Sequence, residues 1–273
     1  MTPLHTTEIG HGRHTIVWCH GIFGQGKNFT SVARSLVGSD PDRWRCVLVD
    51  LPNHGRSPWT TSTSYPDMAD HLARTIRELS PGQPVHLLGH SMGGKVAMRT
   101  ALDHPELLDA LVVVDISPVD YPMGHSFGQR VRGMRSLDLE ALESRSQAES
   151  QLSLYEPDAA IRQFLMQNLR HDIHAPAGHQ WHWQMNLDLL AETMDDLGRW
   201  PSDGTRVWRG PVLWINGARS SYVRPEYADA MQALFPQVRR VTIKDSGHWV
   251  HSDQPTIFTQ VVKGFLTRIE DRH

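Results

Sequence analysis

The stretch Pro84-Val-His-Leu-Leu-Gly-His-Ser-Met-Gly-Gly-Lys-Val-Ala-Met-Arg-Thr-Ala-Leu102 decides the fold of this chain. An apolar run is followed by a glycine-rich turn and then by a helix-like run, with Ser91 at the apex of the turn. A turn of this kind forces strained backbone angles on the serine and exposes its hydroxyl group. Side chains at Gly89 and Gly93 would collide where the strand and the helix pass closely. The stretch therefore predicts a nucleophilic serine, and a serine hydrolase if its partner residues are present.

Outward from this stretch, short apolar runs alternate with longer amphipathic runs along most of the chain. The predicted strands are 14–20, 45–50, 84–88, 111–116, 211–216 and 238–244. The predicted helices are 28–36, 67–79, 95–102, 225–234 and 257–269. This alternation predicts an α/β fold with a mostly parallel central sheet and helices on both faces.

Residues 119–207 interrupt the alternation and carry no strong strand signal. The segment is too long for a plain loop, and 137–145 and 158–169 have helical patterns. We therefore predict an α/β core formed by 1–118 and 208–273, with 119–207 as an inserted helical cap, or lid. The alternating side chains of Trp181, Trp183 and Met185 are expected to form the apolar underside of this cap.

Composition excludes several classes of protein. The 273 residues include 27 basic and 30 acidic side chains, a formal net charge of −3, and no basic block suggests nucleic acid as a partner. No apolar run reaches the ~20 residues that span a bilayer, so membrane insertion is not expected. The first ten residues lack a signal-peptide pattern. The two cysteines, Cys19 and Cys46, lie in strand-like runs and form no disulfide framework. We expect a cytoplasmic enzyme, monomeric or a small homo-oligomer.

A serine nucleophile needs a general base and an oxyanion hole. The best candidate base is His248, which follows the last predicted strand and so lies at the same sheet edge as Ser91. One oxyanion amide should come from Met92, directly after the serine. The other should come from Ile22, in the loop after the first core strand.

Seven stretches together resemble the α/β-hydrolase superfamily, and more closely its YbfF-type esterases and their mitochondrial abhydrolase relatives. They are His20-Gly-Ile-Phe-Gly, Asp50-Leu-Pro-Asn-His-Gly-Arg-Ser, Gly89-His-Ser-Met-Gly-Gly-Lys, Val114-Asp-Ile-Ser-Pro-Val, Asn186-Leu-Asp, Ser221-Tyr-Val and Gly247-His-Trp-Val-His. The resemblance implies the α/β-hydrolase fold and an esterase or thioesterase acting on small acyl substrates, with a helical lid and no cofactor.

The acid of the predicted triad departs from the usual superfamily pattern. Most members place a carboxylate after the strand that corresponds to 211–216, where this chain reads Gly217-Ala-Arg-Ser-Ser. Asp115, at the end of the preceding strand, is the candidate that the closer resemblance implies, and the order Ser91, Asp115, His248 fits a triad. Asp245 is the alternative acid. Ser220 stands where an aspartate is usual and is expected to hydrogen-bond the triad.

Other residues complete the set of candidates. Those expected to contact substrate are Phe23, Ser220, Tyr222, Trp183 and Trp249. We predict no metal site, because the cap histidines at 171, 174, 179 and 182 fit no standard ligand spacing.

Three alternatives to an esterase stay open. Lyase or perhydrolase chemistry can use the same residues, since the fold does not fix the reaction. A non-catalytic binding module is a second alternative. A nucleotide-binding protein is the third, because 21–27 matches G-x-x-x-x-G-K, but Asn28 stands where such a loop needs Ser or Thr.

Overall fold

The computed structural model describes residues 2–122, 124–176, 178–201 and 206–271. Its strands are β1 (Thr6–Ile9), β2 (His14–Cys19), β3 (Trp44–Val49), β4 (Val85–His90), β5 (Leu108–Val114), β6 (Leu169–His171), β7 (Trp181–Trp183), β8 (Val212–Gly217) and β9 (Val238–Ile243). Its α-helices are α1 (Thr30–Gly38), α2 (Tyr65–Leu79), α3 (Met92–Asp103), α4 (His125–Arg135), α5 (Arg145–Leu152), α6 (Ala159–Met166), α7 (Leu187–Glu192), α8 (Met194–Gly198), α9 (Ala228–Leu234), α10 (Val250–Asp253) and α11 (Pro255–Glu270).

A seven-stranded sheet forms the centre of the molecule, in the order β1-β3-β2-β4-β5-β8-β9. Strand β1 pairs antiparallel with β3, and the other neighbours pair in parallel. Helices α1 and α11 share one buried apolar cluster, and α2 and α3 belong to the other. Strands β4 and β8 are buried along their whole length, as expected for a parallel sheet covered on both faces. The predicted α/β-hydrolase architecture is confirmed.

The segment between β5 and β8 holds α4 to α8 and a two-stranded antiparallel sheet, β6–β7. The predicted helix at 158–169 corresponds to α6. The predicted helix at 137–145 is wrong, because α5 begins only at Arg145, after Ser144 caps it by accepting a hydrogen bond from the amide of Gln147. The β6–β7 pair lies in this segment although the sequence carries no strong strand signal there. Its strands are three residues long, too short to show a period.

Buried hydrogen bonds tie this segment to the core above the sheet edge. Lys95 Nζ, on α3, donates to the carbonyl oxygens of Gly198 and Arg199 at 2.7 and 2.8 Å. Asn168 Nδ2 donates to the carbonyl of Phe23 at 2.8 Å. Because these bonds join the middle of the segment and its C-terminal part to the loop after β2 and to α3, they hold the segment over the carboxyl ends of the central strands.

Two further observations bear on the sequence predictions. Cys19 and Cys46 are buried and unpaired, as expected. Within the described ranges, no helix combines the length and the apolar character that crossing a membrane requires.

Candidate active site

Ser91 occupies the sharp turn between β4 and α3. Its backbone angles are φ 54° and ψ −122°, a left-handed conformation that is rare for a residue with a side chain. A Cβ atom at Gly89 would lie 2.1 Å from the carbonyl oxygen of Gly93, and one at Gly93 would lie 2.4 Å from that of His20. The predicted collisions are therefore confirmed. The amide of Ser91 donates to the carbonyl of Val114 at 3.0 Å, which fixes the turn against the next strand.

The structure brings Ser91, His248 and Asp115 together in one hydrogen-bonded chain. His248 lies between β9 and α10, and its Nε2 atom is 3.0 Å from Ser91 Oγ. Its Nδ1 atom is 2.7 Å from Asp115 Oδ2. Asp115 is completely buried directly after β5. Asp245, the alternative acid, is exposed, and no hydrogen bond joins its carboxylate to His248 in the described part of the chain.

The last residue of β8 and the loop that follows it supply hydrogen-bond donors to Asp115. The amide of Gly217 donates to Asp115 Oδ1 at 3.1 Å, and the Ser220 hydroxyl donates to Oδ2. With the His248 Nδ1–H, three donors converge on one side chain. A carboxylate, which only accepts hydrogen bonds, satisfies all three.

Aromatic side chains hold the imidazole of His248 in place. The ring of Tyr222 stacks on it, with the centroids 4.2 Å apart and the planes inclined by 29°. His90 Nε2 donates to the carbonyl oxygen of His248 at 2.8 Å. Burial, followed by the neighbouring charges of His248 and His251, lowers the pKa of His90 well below its usual value. His90 is therefore neutral and adds no second positive charge beside His248.

The two residues whose amides are expected to bind an oxyanion are both neighbours of Ser91, Met92 in the chain and Ile22 in the wall of the same cavity. Met92 is the first residue of α3, so no carbonyl of that helix can accept from its amide. Ile22 lies in the loop after β2, where a Cβ atom on Gly21 would come within 3.2 Å of Ser91 Cβ. His20 shapes this loop, because its Nδ1–H donates to the carbonyl of Gly21 at 2.8 Å while its Nε2 accepts from the amide of Leu51.

The same loop does not form a phosphate cradle. The amide of Gly26, inside the G-x-x-x-x-G-K match, donates to Asp50 Oδ1 at 2.7 Å. A buried carboxylate thus occupies an amide that a nucleotide-binding loop would direct at a phosphate group.

A mainly apolar cavity of about 260 Å³ opens above Ser91. Of the residues predicted to contact substrate, Phe23, Tyr222 and Trp249 line it. Ser220 instead bonds Asp115, and Trp183 is buried in β7 and does not line the cavity. Sequence reasoning missed the cavity residues contributed by the cap and by α10, which are Phe127, Arg130, Ile161, Phe164, Leu165 and His251. The apolar residues among them are spaced as in any amphipathic helix, and Arg130 and His251 stand in no recognisable motif, so no local signal marks them.

The family model for the alpha/beta hydrolase fold matches residues 14–255. The chain therefore belongs to the α/β hydrolase fold family.

Individual relatives narrow this class. The chain is 38% identical to sn-1-specific diacylglycerol lipase ABHD11 of Mus musculus, over 92% of this chain and 80% of that protein. It is 29% identical to esterase YbfF of Escherichia coli (strain K12), over 96% of both chains. A solved marine microorganism esterase superposes with a TM-score of 0.89 at 29% identity, covering 96% of this chain and 99% of that chain. The predicted resemblance to YbfF-type esterases and the predicted class, a carboxylic ester hydrolase, are confirmed.

Proposed function

We propose that Ser91, His248 and Asp115 form the catalytic triad of a serine esterase that cleaves small carboxylic esters or thioesters. The observation that carries this proposal is the continuous hydrogen-bonded chain from Ser91 Oγ through His248 to the buried Asp115, at 3.0 and 2.7 Å. Hydrogen-bonded contacts of this kind among nucleophile, base and orienting acid are the geometric signature of an activated serine.

In the first half of the reaction, Ser91 Oγ attacks the carbonyl carbon of the ester while His248 Nε2 takes the hydroxyl proton. Asp115 holds the proton of His248 on Nδ1 and stabilises the imidazolium that forms. The amides of Ile22 and Met92 donate to the oxygen that becomes negative. The bond between the carbonyl carbon and the leaving group then breaks, and His248 gives its proton to the departing alcohol or thiol.

In the second half, water attacks the acyl group bound to Ser91. His248 Nε2 takes a proton from this water, and the tetrahedral intermediate collapses with return of that proton to Ser91 Oγ. The products are a carboxylic acid and the free enzyme, so the two halves sum to hydrolysis of one ester bond. Every step uses protein groups and water, and we propose no cofactor or metal ion.

The substrate class follows from the cavity. The surface of its walls is chiefly apolar. Arg130, which also lines it, is engaged by Glu156 through an Nε–Oε2 contact of 2.6 Å. An uncharged, apolar ester fits such walls better than a charged one. Residues 119–207 supply several of these walls, which supports a lid over the site. Nucleic acid is not expected as a partner, and the cytoplasmic location stays a prediction.

Labelling with a fluorophosphonate probe tests the nucleophile without knowledge of the substrate. The purified protein should be labelled at Ser91, as mapped by mass spectrometry, while Ser91→Ala should not be labelled. Ser57→Ala is a suitable control, because Ser57 is also buried but its hydroxyl bonds to the backbone, donating to the Asp50 carbonyl and accepting from the His5 amide. Absence of label on the wild-type protein would overturn the triad and favour a non-catalytic binding module. Label without ester turnover would favour lyase or perhydrolase chemistry.

A further inference from the structure

Two separate spaces meet at Ser91. One is the cavity of about 260 Å³ described above, here called the large cavity. The other is a smaller pocket of about 40 Å³ between the core and α8, here called the small pocket. Both are bordered by Ile22, Ser91, Phe127 and Tyr222. The reacting serine therefore stands at the boundary between two spaces of very different size.

The polar groups in the wall of the small pocket are already engaged by the protein. Lys95 Nζ donates to two backbone carbonyls and lies 5.4 and 5.1 Å from the ring centroids of Tyr65 and Tyr121. The Tyr65 hydroxyl donates to the carbonyl of Leu197 at 2.7 Å. The Tyr121 hydroxyl donates to the carbonyl of Tyr222 at 2.5 Å. With these groups paired, the pocket offers chiefly apolar surface, which suits a short hydrocarbon group.

The volume limits the length of that group. A water molecule needs roughly 10–15 Å³ of cavity volume, and the small pocket provides about 40 Å³. About three non-hydrogen atoms fit at this scale. Counted beyond a carbonyl carbon bonded to Ser91, three atoms correspond to a butanoyl group.

The position of His248 decides which half of an ester enters which space. His248 must pass a proton to the leaving oxygen or sulfur atom, so the leaving group has to lie on the side of Ser91 that His248 faces. His248 lines the large cavity, and it is absent from the described lining of the small pocket. Met92, whose amide is proposed to hold the oxyanion, lines the small pocket and is absent from the described lining of the large cavity.

We infer that the small pocket is the acyl subsite of this enzyme and restricts it to acyl groups of two to four carbons, while the large cavity binds an apolar alcohol or thiol. The inference rests on the proposed function and adds the division of the substrate between the two spaces. Leu197, from α8, and Ile116, after β5, are the aliphatic residues that set the size of the acyl subsite.

The test compares two substrate series on the wild-type protein and on two matched variants. One series varies the acyl group, from p-nitrophenyl acetate through butanoate to octanoate. The other varies the alcohol, from ethyl to hexyl to naphthyl acetate. Leu197→Ala enlarges the small pocket, and Ile161→Ala enlarges the large cavity alone. The two variants are matched, because each shortens an aliphatic side chain of the cap.

We expect wild-type kcat/KM to fall by roughly tenfold or more from butanoate to octanoate, the scale of misfitting methylene groups. Leu197→Ala should reduce this ratio by about tenfold and leave the alcohol preference unchanged. Ile161→Ala should alter the alcohol preference and leave the acyl ratio unchanged. Leu197→Val, a smaller change, should shift the acyl ratio in the same direction if the alanine variant folds poorly.

Two results would overturn the inference. A wild-type preference for octanoate over butanoate would contradict the acyl limit by itself, without any variant. Exchange of the two variant effects would assign the acyl group to the large cavity. Both results differ from failure of the proposed function, because they require ester turnover and fluorophosphonate label on Ser91. Absence of that label would remove the triad itself.

Discussion

Replacing Asp115 by asparagine tests the proposal that Asp115 is the acid of the catalytic triad. The variant should fold, because asparagine tolerates the left-handed φ of 51° at this position and has almost the same size. What the substitution changes is the hydrogen bonding, because an asparagine side chain carries an NH₂ donor where the aspartate has a second acceptor oxygen. Asp115 accepts from the Gly217 amide on one oxygen, and from Ser220 and the His248 Nδ1–H on the other.

An asparagine can meet this arrangement in two ways. If its NH₂ group faces Gly217, two buried donors oppose each other, at a cost of about 1–3 kcal/mol. The favoured orientation therefore turns the NH₂ group toward His248, whose Nδ1 must then accept. That tautomer carries its proton on Nε2 and cannot take the Ser91 proton. We expect kcat to fall by roughly 10⁴-fold, or about 5 kcal/mol of activation free energy.

The assay is hydrolysis of p-nitrophenyl butanoate, with the fold checked by circular dichroism. Asp245→Asn is the matched control, because Asp245 also has a left-handed φ, 56°, but is exposed. It should keep nearly full activity. If Asp115→Asn retains more than about a tenth of kcat, or if Asp245→Asn loses as much, the assignment of Asp115 is wrong.

Three further predictions concern the surroundings of the triad. Ser220→Ala removes a hydrogen-bond donor to the buried carboxylate of Asp115 and should lower kcat by about 10- to 100-fold, the scale of a hydrogen bond to a charged group. Ser221→Ala is the control, because Ser221 is exposed, and equal losses of kcat in the two variants would contradict the prediction. Gly93→Ala should yield little folded protein, since its Cβ would lie 2.4 Å from a backbone oxygen. Gly264→Ala is the control and should keep the wild-type Tm, because its Cβ meets no atom closer than 3.9 Å, and a normal Tm for Gly93→Ala would refute the steric argument. Burial lowers the pKa of His251 from 6.5 to about 3, so between these pH values the unfolded chain binds a proton that the folded chain does not, and acid destabilises the protein. Between pH 3 and 6.5, His251→Phe should reduce the slope of the unfolding free energy against pH by about 1.4 kcal/mol per pH unit. The free energies are measured by urea denaturation, and an unchanged slope would show that His251 does not cause the acid destabilisation.

The sequence alone was enough for the parts of this fold that depend on local chemistry. The turn around Ser91 is encoded locally, because a Cβ atom at Gly89 would lie 2.1 Å from the carbonyl oxygen of Gly93, so a glycine is required there. The long buried strands are encoded by continuous apolar runs, which suit a parallel sheet covered on both faces. The cap was harder. Its pair of three-residue strands and its short helices carry too few periods to separate helix from strand or loop.

For the candidate site, the sequence by itself determined the residue types and their order, Ser91, Asp115 and His248, because each follows a recognisable strand. Only the tertiary structure distinguishes the candidate acids Asp115 and Asp245, since it shows which carboxylate is buried 2.7 Å from the imidazole of His248. It also shows that Trp183 packs outside the large cavity and that Leu197 lines the small pocket together with Ser91. Such contacts join residues about a hundred positions apart, and they arise from how the cap packs on the sheet rather than from any local pattern.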